Sequence, residues 1–380
     1  MKILLLFDYP PPPGGLATQG DLLMRGLREI GVEVRAAHLE SDLEKTWNYQ
    51  WFKPDAVVGI GYWGMTPDLV LHAQKHGILA IPWLVANGYV VNYRDTLTNL
   101  PLMLVTSRWV KEVYERDGIS GTHIEVLPVG CDTDSFVPYP RSDARVQAAR
   151  AALGVREDEL LILTVGGDAA SKGGREVMEA LASLGDRVPS WHYVCKVWMQ
   201  ARTEKQNALD LELARSLGIE QRVSFCGGRV SRELMPFLLS ACDVYAAPSR
   251  LEGFGMGQVE ANACGRPVVG IAAMAMLETL VHDGTALLAG VAQENRASEA
   301  VVGPEAGFPP GHRVLFPNPR VVDYRASVPD LAAHLYALLN EPELRQRLGT
   351  AGRARVSELY DYRTVARRFV ELVGAKLGLK

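Results

Sequence analysis

Two glutamates, Glu252 and Glu260, bracket a run in which Gly253, Gly255 and Gly257 alternate with larger residues: "SRLEGFGMGQVEANACGRP" over residues 249–267. Carboxylates in such a setting accept hydrogen bonds from sugar-like hydroxyls, and glycines let backbone N–H groups approach an anion. The run follows the apolar stretch "DVYAAPS" (243–249). Ser249 to Gly257 therefore read as a loop at the carboxyl end of a strand. Gln258 onward reads as a helix whose first N–H groups are free. On spacing alone, Glu260 is equally a carboxylate on an ordinary helix face.

Two other stretches join a strand to a helix through glycines. In "YPPPPGGLATQG" (9–20), Gly14 and Gly15 sit at a helix start, where anions bind. In "GGDAASKGG" (166–174), glycine pairs flank Lys172, placing a cation where backbone donors converge, which suits a diphosphate. Tight turns and an exposed helix-start lysine are the plainer readings of the same residues. Neither stretch has the GxGxxG spacing of a nicotinamide-binding turn or the GxxxxGK[ST] of a P-loop.

The elements that must position these loops alternate along the chain. Apolar runs at 2–7, 32–38, 55–60, 77–84, 102–107 and 123–129 predict buried parallel strands, with helices between them such as the one near 17–30. A second series of strands is predicted at 160–167, 192–198, 222–228, 243–249, 266–271 and 286–290. The polar stretch 131–158, with Pro138 and Pro140, reads as a linker. The expected architecture is α/β, with two doubly wound Rossmann-like domains facing a cleft: residues 1–150 and 151–360, with 361–380 returning to the first. Residues 290–327 are polar, rich in Gly and Pro, and read as a long loop or surface excursion. Helices are expected again at about 329–340, 342–357 and 361–377.

Composition narrows the classes. A formal charge of -4, from 40 basic and 44 acidic side chains, argues against a nucleic-acid binder that works by phosphate neutralisation. No stretch approaches the ~18–20 apolar residues of a membrane span, and "MKILLLFDYPPPP" is too short for a signal-peptide core. The five cysteines form no CxxC pair and mostly lie in apolar runs, which predicts reduced buried thiols and a cytoplasmic protein. No polybasic run marks a lipid anchor, although peripheral membrane contact stays open.

Pro248-Ser249, Glu252-Gly253-Phe254-Gly255, Glu260-Ala261, Ala263-Cys264-Gly265 and Pro267-Val268-Val269 together resemble the signature of glycosyltransferase family 4. Further matches run along most of the chain: Gly14-Gly15, Lys172-Gly173, "VLPVGCDTDSF" (126–136), 222–249, "LETLVHDG" (277–284) and "YDYRTVARRFVELV" (360–373). The resemblance implies a GT-B fold and a retaining, nucleotide-sugar-dependent hexosyltransferase of glycan biosynthesis. Its substrates would be a UDP- or GDP-sugar and a hydroxyl-bearing acceptor. It also implies roles. Glu252 would hold the donor sugar, with backbone amides near Phe254, Gly255 and Met256 around sugar and phosphates. Glu260 would bind the ribose, and the chain at Gly228 and Arg229 would meet the base. Lys172 would stabilise the leaving diphosphate, with Gly14 and Gly15 closing on it from the other domain. No cofactor and no divalent metal is expected, because no cluster of Asp, Glu and His lies beside the phosphate loops.

The departures from the family pattern are specific. Many relatives carry an arginine five residues before the lysine; Gly167 stands there, leaving Arg250 and Arg229 to supply the second cation. Asn87 occupies the acceptor-side position that many relatives give to histidine, and an amide is neither acid nor base. Two aromatic and amide stretches, 59–68 and 87–95, read either as a sugar-like site or as loop packing. A second reading follows from the departures: an inactive nucleotide-sugar-binding homologue or partner subunit. A glycoside hydrolase using the two carboxylates fits less well, since each half of the chain holds a phosphate-type loop.

Overall fold

The computed structural model describes residues 1–86, 88–198 and 201–379. Every predicted strand of both series is present. In the first half these are β1 (Lys2–Phe7), β2 (Glu33–His38), β3 (Ala56–Tyr62), β4 (Leu79–Val85), β5 (Met103–Val105) and β6 (Ile124–Val126). They form a parallel sheet in the order β2-β1-β3-β4-β5-β6. Buried aliphatic runs such as Ile3 to Phe7 explain why: helices cover both faces of a parallel sheet, so its strands are apolar throughout.

The second half holds β7 (Leu160–Val165), β8 (Trp191–Val197), β9 (Val223–Gly227), β10 (Val244–Ala246), β11 (Val268–Ile271) and β12 (Ala286–Ala289). Their order is β12-β11-β10-β7-β8-β9, again parallel. Chain direction along the sheet reverses between β7 and β10, so the loops leaving those two strands part to opposite sides of a crevice. The equivalent point in the first sheet lies between β1 and β3.

The chain divides into two compact units. Unit 1 comprises Met1–Asp132, Arg296–Val322 and Leu359–Lys380; unit 2 comprises Thr133–Asn295 and Asp323–Glu358. The first boundary falls earlier than the expected residue 150. The helix Ala144–Ala152 buries Val146 and Ala149 beside the helix Met235–Ala241, and Arg150 donates to the Ala241 carbonyl. Its apolar stripe is mostly alanine, which hid a packed helix inside a polar stretch. The last helix, Tyr362–Leu377, lies in unit 1 against the helix Gly15–Glu29, and Asp361 caps its first turn.

The polar stretch expected as a loop is a two-stranded ribbon, β13 (Val291–Val302) and β14 (His312–Ala326). Most of its side chains are at least partly exposed, so it carries no apolar alternation for a sequence to show. Its distal half joins the core of unit 1. Ala300, Val302, Ala306 and Phe316 are buried there with Trp63, Val90 and Val91, and the Phe316 ring lies 5.3 Å from Tyr89. Among the described residues no helix is long and apolar enough to cross a membrane.

Candidate functional site

The loops leaving β7 and β10 bring together the two residues that the sequence placed at the chemistry. After β7 the chain passes Gly166 and Gly167, makes one tight turn over Ala170–Lys172, and enters the helix Gly174–Leu184. Asp168 Oδ1 accepts from the Ser171 N–H at 2.7 Å and fixes that turn. Gly173 joins turn to helix at φ +78°, with no space for a side chain against the Pro248 carbonyl. After β10 the loop runs to Gly255, at φ +90°, and into the helix Met256–Ala263. Both left-handed positions demand glycine.

Lys172 Nζ lies 2.6 Å from Glu252 Oε2, and both side chains keep an exposed fraction (26% and 18%), so the pair is open to a ligand. The Arg250 N–H donates to the Ser171 carbonyl at 2.9 Å, which fastens the Glu252 loop to the Lys172 loop. The Glu252 N–H donates to the Met274 sulfur at 3.3 Å. Gln258 Nε2 donates to the Ala247 carbonyl and to Ser249 Oγ, anchoring the start of the following helix under the loop. One cation, one carboxylate and two helix N-termini thus converge on one crevice. That combination suits a ligand with both negative charge and hydroxyls.

Arg250 takes another course from the one expected of it. Its guanidinium is buried and grips Glu176 through both carboxylate oxygens, at 2.8 and 3.1 Å. Arg325 adds a contact of 3.1 Å to the same carboxylate and pairs with Asp323, while the Tyr324 N–H donates to the Arg250 carbonyl. Arg250 is therefore a brace for the Glu252 loop, held by the root of the β13–β14 ribbon. Arg229 is exposed just beyond β9, and Gly228 has φ +114°. Trp198 packs over the Gly167 position, its nearest ring carbon 3.6 Å from where a Cβ would stand.

Glu260 is buried on the helix Met256–Ala263, and Arg232 Nη1 lies 2.7 Å from its Oε1. Burial, reinforced by the charge of Glu260, pushes the Tyr245 phenol well above its ordinary pKa, so it stays a neutral hydroxyl. Phe254 is buried and Met256 half-buried, which leaves their backbone as the part to face a ligand. Arg232, Glu176 and Arg325 were not singled out from the sequence. Each is defined by a partner 28 to 149 positions away, and nothing local marks it. Lys196, also missed, lies one residue before the end of β8, beside Val165; it is buried, its pKa is lowered by that burial, and it has no carboxylate partner among the described residues.

In unit 1, Gly14 and Gly15 begin the helix after β1, at the β1/β3 reversal, and open space surrounds Gly14. Asn87 lies outside the described residues. The aromatic stretches around it are packed. Trp63 is buried, Tyr89 contacts Phe316, and Asn92 Nδ2 donates to the Ala306 carbonyl at 2.8 Å. Asp117 is buried between Arg116 and Arg320 and accepts from the Val90 N–H.

The sequence model of the family described as "Glycosyl transferases group 1" matches residues 146–302, the part that holds both loops. Residues 146–302 thus resemble a group 1 glycosyltransferase domain. Over 180 residues this chain is 34% identical to the D-inositol 3-phosphate glycosyltransferase of Corynebacterium jeikeium, covering 46% of this chain and 42% of that protein. It is 31% identical over 160 residues to the mannosylfructose-phosphate synthase of Agrobacterium fabrum, covering 41% and 34%. The matched region thus spans well under half the length of these curated relatives. Among solved structures, a sucrose-phosphate synthase from Thermosynechococcus elongatus superposes with a TM-score of 0.75 at 19% identity over 99% of both chains. Anabaena HepE, in complex with UDP and glucose, gives 0.73 at 17% identity over 99% of this chain and 100% of that one. The fold is GT-B.

Proposed function

We propose that the protein is a retaining glycosyltransferase that moves a hexose from a nucleoside diphosphate to an acceptor hydroxyl without a divalent metal. The Lys172–Glu252 pair, set between two helix N-termini at the β7/β10 reversal, carries this reading. A nucleotide sugar would offer each partner a replacement. The diphosphate takes the ammonium of Lys172, and sugar hydroxyls donate to the freed carboxylate of Glu252. Glu260, steadied by Arg232, would receive the ribose hydroxyls, with the base toward Gly228 and Arg229. Amides of Phe254, Gly255 and Met256 would face the sugar and phosphates.

In the reaction the anomeric C–O bond to the diphosphate breaks as a bond to the acceptor oxygen forms on the same face. The acceptor proton passes to a departing phosphate oxygen, so no protein base is required. Negative charge grows on the diphosphate. A fixed ammonium and oriented N–H groups stabilise it without reorganisation. Neither glutamate acts as acid or base in this scheme.

Two observations favour a second reading, a donor-binding protein without turnover: Gly167 supplies no cation, and Arg250 is committed to Glu176. Incubation with UDP- and GDP-sugars in EDTA, with nucleotide release followed and the product anomer assigned by NMR, separates the two. The proposal expects release that depends on Lys172 and survives EDTA, with retained configuration. Donor binding without release on any acceptor favours the second reading, and inversion or EDTA sensitivity removes the corresponding part of the first.

A further inference from the structure

Lys172 and Glu252 stand at the carboxyl ends of β7 and β10. At the opposite, amino-terminal end of the same sheet, an open pocket of about 450 Å³ lies where β10 and β11 begin, since Asp243 and Pro267 immediately precede those strands. Arg141, Arg266, Arg345 and Arg353 line it, with Tyr139 and a single lining carboxylate, Asp243. That carboxylate is already engaged: its Oδ2 accepts from the Leu161 N–H at 2.7 Å and from Arg150 Nη1 at 3.2 Å. Arg141 comes only within 3.8 Å of its other oxygen.

The remaining bonds of the four lining arginines go to backbone carbonyls. Arg141 donates to Glu157, Arg266 to Tyr139, Arg345 to Leu338 and Leu339, and Arg353 to Thr133, Phe136 and Ala263. Carbonyls satisfy donors but cancel no charge. Of five guanidiniums, counting Arg150, only Arg150 and Arg141 come within 4 Å of a carboxylate among the described residues, and it is the same one, Asp243; each guanidinium carries five N–H donors. Among the described residues Arg266 Nε is buried without an acceptor, the kind of orphan that marks a missing partner. Burial holds the Arg345 guanidinium below its ordinary pKa, with Asp243 acting in the opposite direction.

We propose that this pocket binds a phosphate-bearing anion at a site separate from the donor crevice. Planar guanidinium forks match phosphate oxygens two at a time, and the volume admits a phosphorylated small molecule. Such a ligand would join the segment 138–141 to the sheet and to the helix Pro342–Leu359.

The test uses the full chain and sodium phosphate as probe, with sodium chloride at matched ionic strength as reference. Melting temperature and 31P line width are both followed. Phosphate is expected to raise the melting temperature saturably beyond chloride. Arg141→Gln and Arg345→Gln should each weaken the apparent affinity about tenfold or more, the worth of one charge-assisted hydrogen bond. Lys172→Ala should leave the response unchanged, which keeps this site distinct from the proposed donor site. Each variant is read against its own chloride baseline, and Arg345→Lys, which keeps the charge but not the fork, should fall between. An equal response to chloride overturns the proposal, as does a response lost in Lys172→Ala or untouched by both glutamine variants.

Discussion

Lys172→Met removes a charge while keeping most of the aliphatic stem, so it tests whether the Lys172–Glu252 pair serves chemistry or structure. The pair is short at 2.6 Å, but its side chains are 26% and 18% exposed. Its stability contribution should therefore lie between that of a surface ion pair and that of a buried charge-assisted bond, about 1 kcal/mol. The loss of a fixed donor from developing charge costs far more, about 10²–10³ in rate, or roughly 3–4 kcal/mol of barrier. Lys172→Met should thus melt nearly as the parent does yet lose about two to three orders of magnitude in nucleotide release. The double variant with Glu252→Gln sharpens the separation. Neutralising the stranded carboxylate should recover most of the lost stability and none of the lost rate. Urea denaturation and a coupled nucleotide-release assay on all four proteins complete the cycle. A Lys172→Met enzyme within tenfold of the parent, or a double variant that regains activity, refutes the catalytic role.

Three further outcomes follow from the same geometry. Gly173→Ala forces φ +78° on an alanine and drives its Cβ into the Pro248 carbonyl, so it should cost more than about 2 kcal/mol in urea, while Gly14→Ala, in open space with extended backbone, should change stability by less than about 0.5 kcal/mol. Arg325→Ala strips one of the two arginines from Glu176 and loosens the brace on the Glu252 loop; the Michaelis constant for the donor should rise several-fold, more than kcat falls, in steady-state kinetics. Burial lowers the pKa of His192 and His334, so both favour the neutral form when folded. Their contribution is complete above the unfolded value of about 6.5 and is lost as pH falls from there through the lower folded values; melting temperature should drop between pH 7 and pH 5, less steeply in His192→Gln.

The two sheets were legible because runs such as "KILLLF" and "LLILTV" must be covered on both faces, and only parallel strands under helices provide that. The ribbon was not, because β13 and β14 pair through backbone and expose polar side chains, and its apolar anchors are few and scattered. At the site, Lys172 and Glu252 were each visible as loop residues. Their meeting depends on β7 lying beside β10, which no local pattern states. Arg250 read as a free cation because its captor, Glu176, sits 74 positions earlier on a helix of otherwise ordinary composition. The aromatic stretches of unit 1 were ambiguous for the same reason, since the segment that covers Trp63 and Tyr89 arrives more than two hundred residues later.

Unit 1 is assembled from three separated stretches, and that has a consequence for how the chain is made. The residues of β1 to β6 are synthesised before those of unit 2, yet the surface that receives Phe316 and the helix face that receives Tyr362–Leu377 stay uncovered until β7 to β12 have been made. Although its six strands are made before those of unit 2, unit 1 is completed after them. A nascent chain stalled before residue 359 should expose the apolar face of the helix Gly15–Glu29 to chaperones, and one released beyond Leu377 should not.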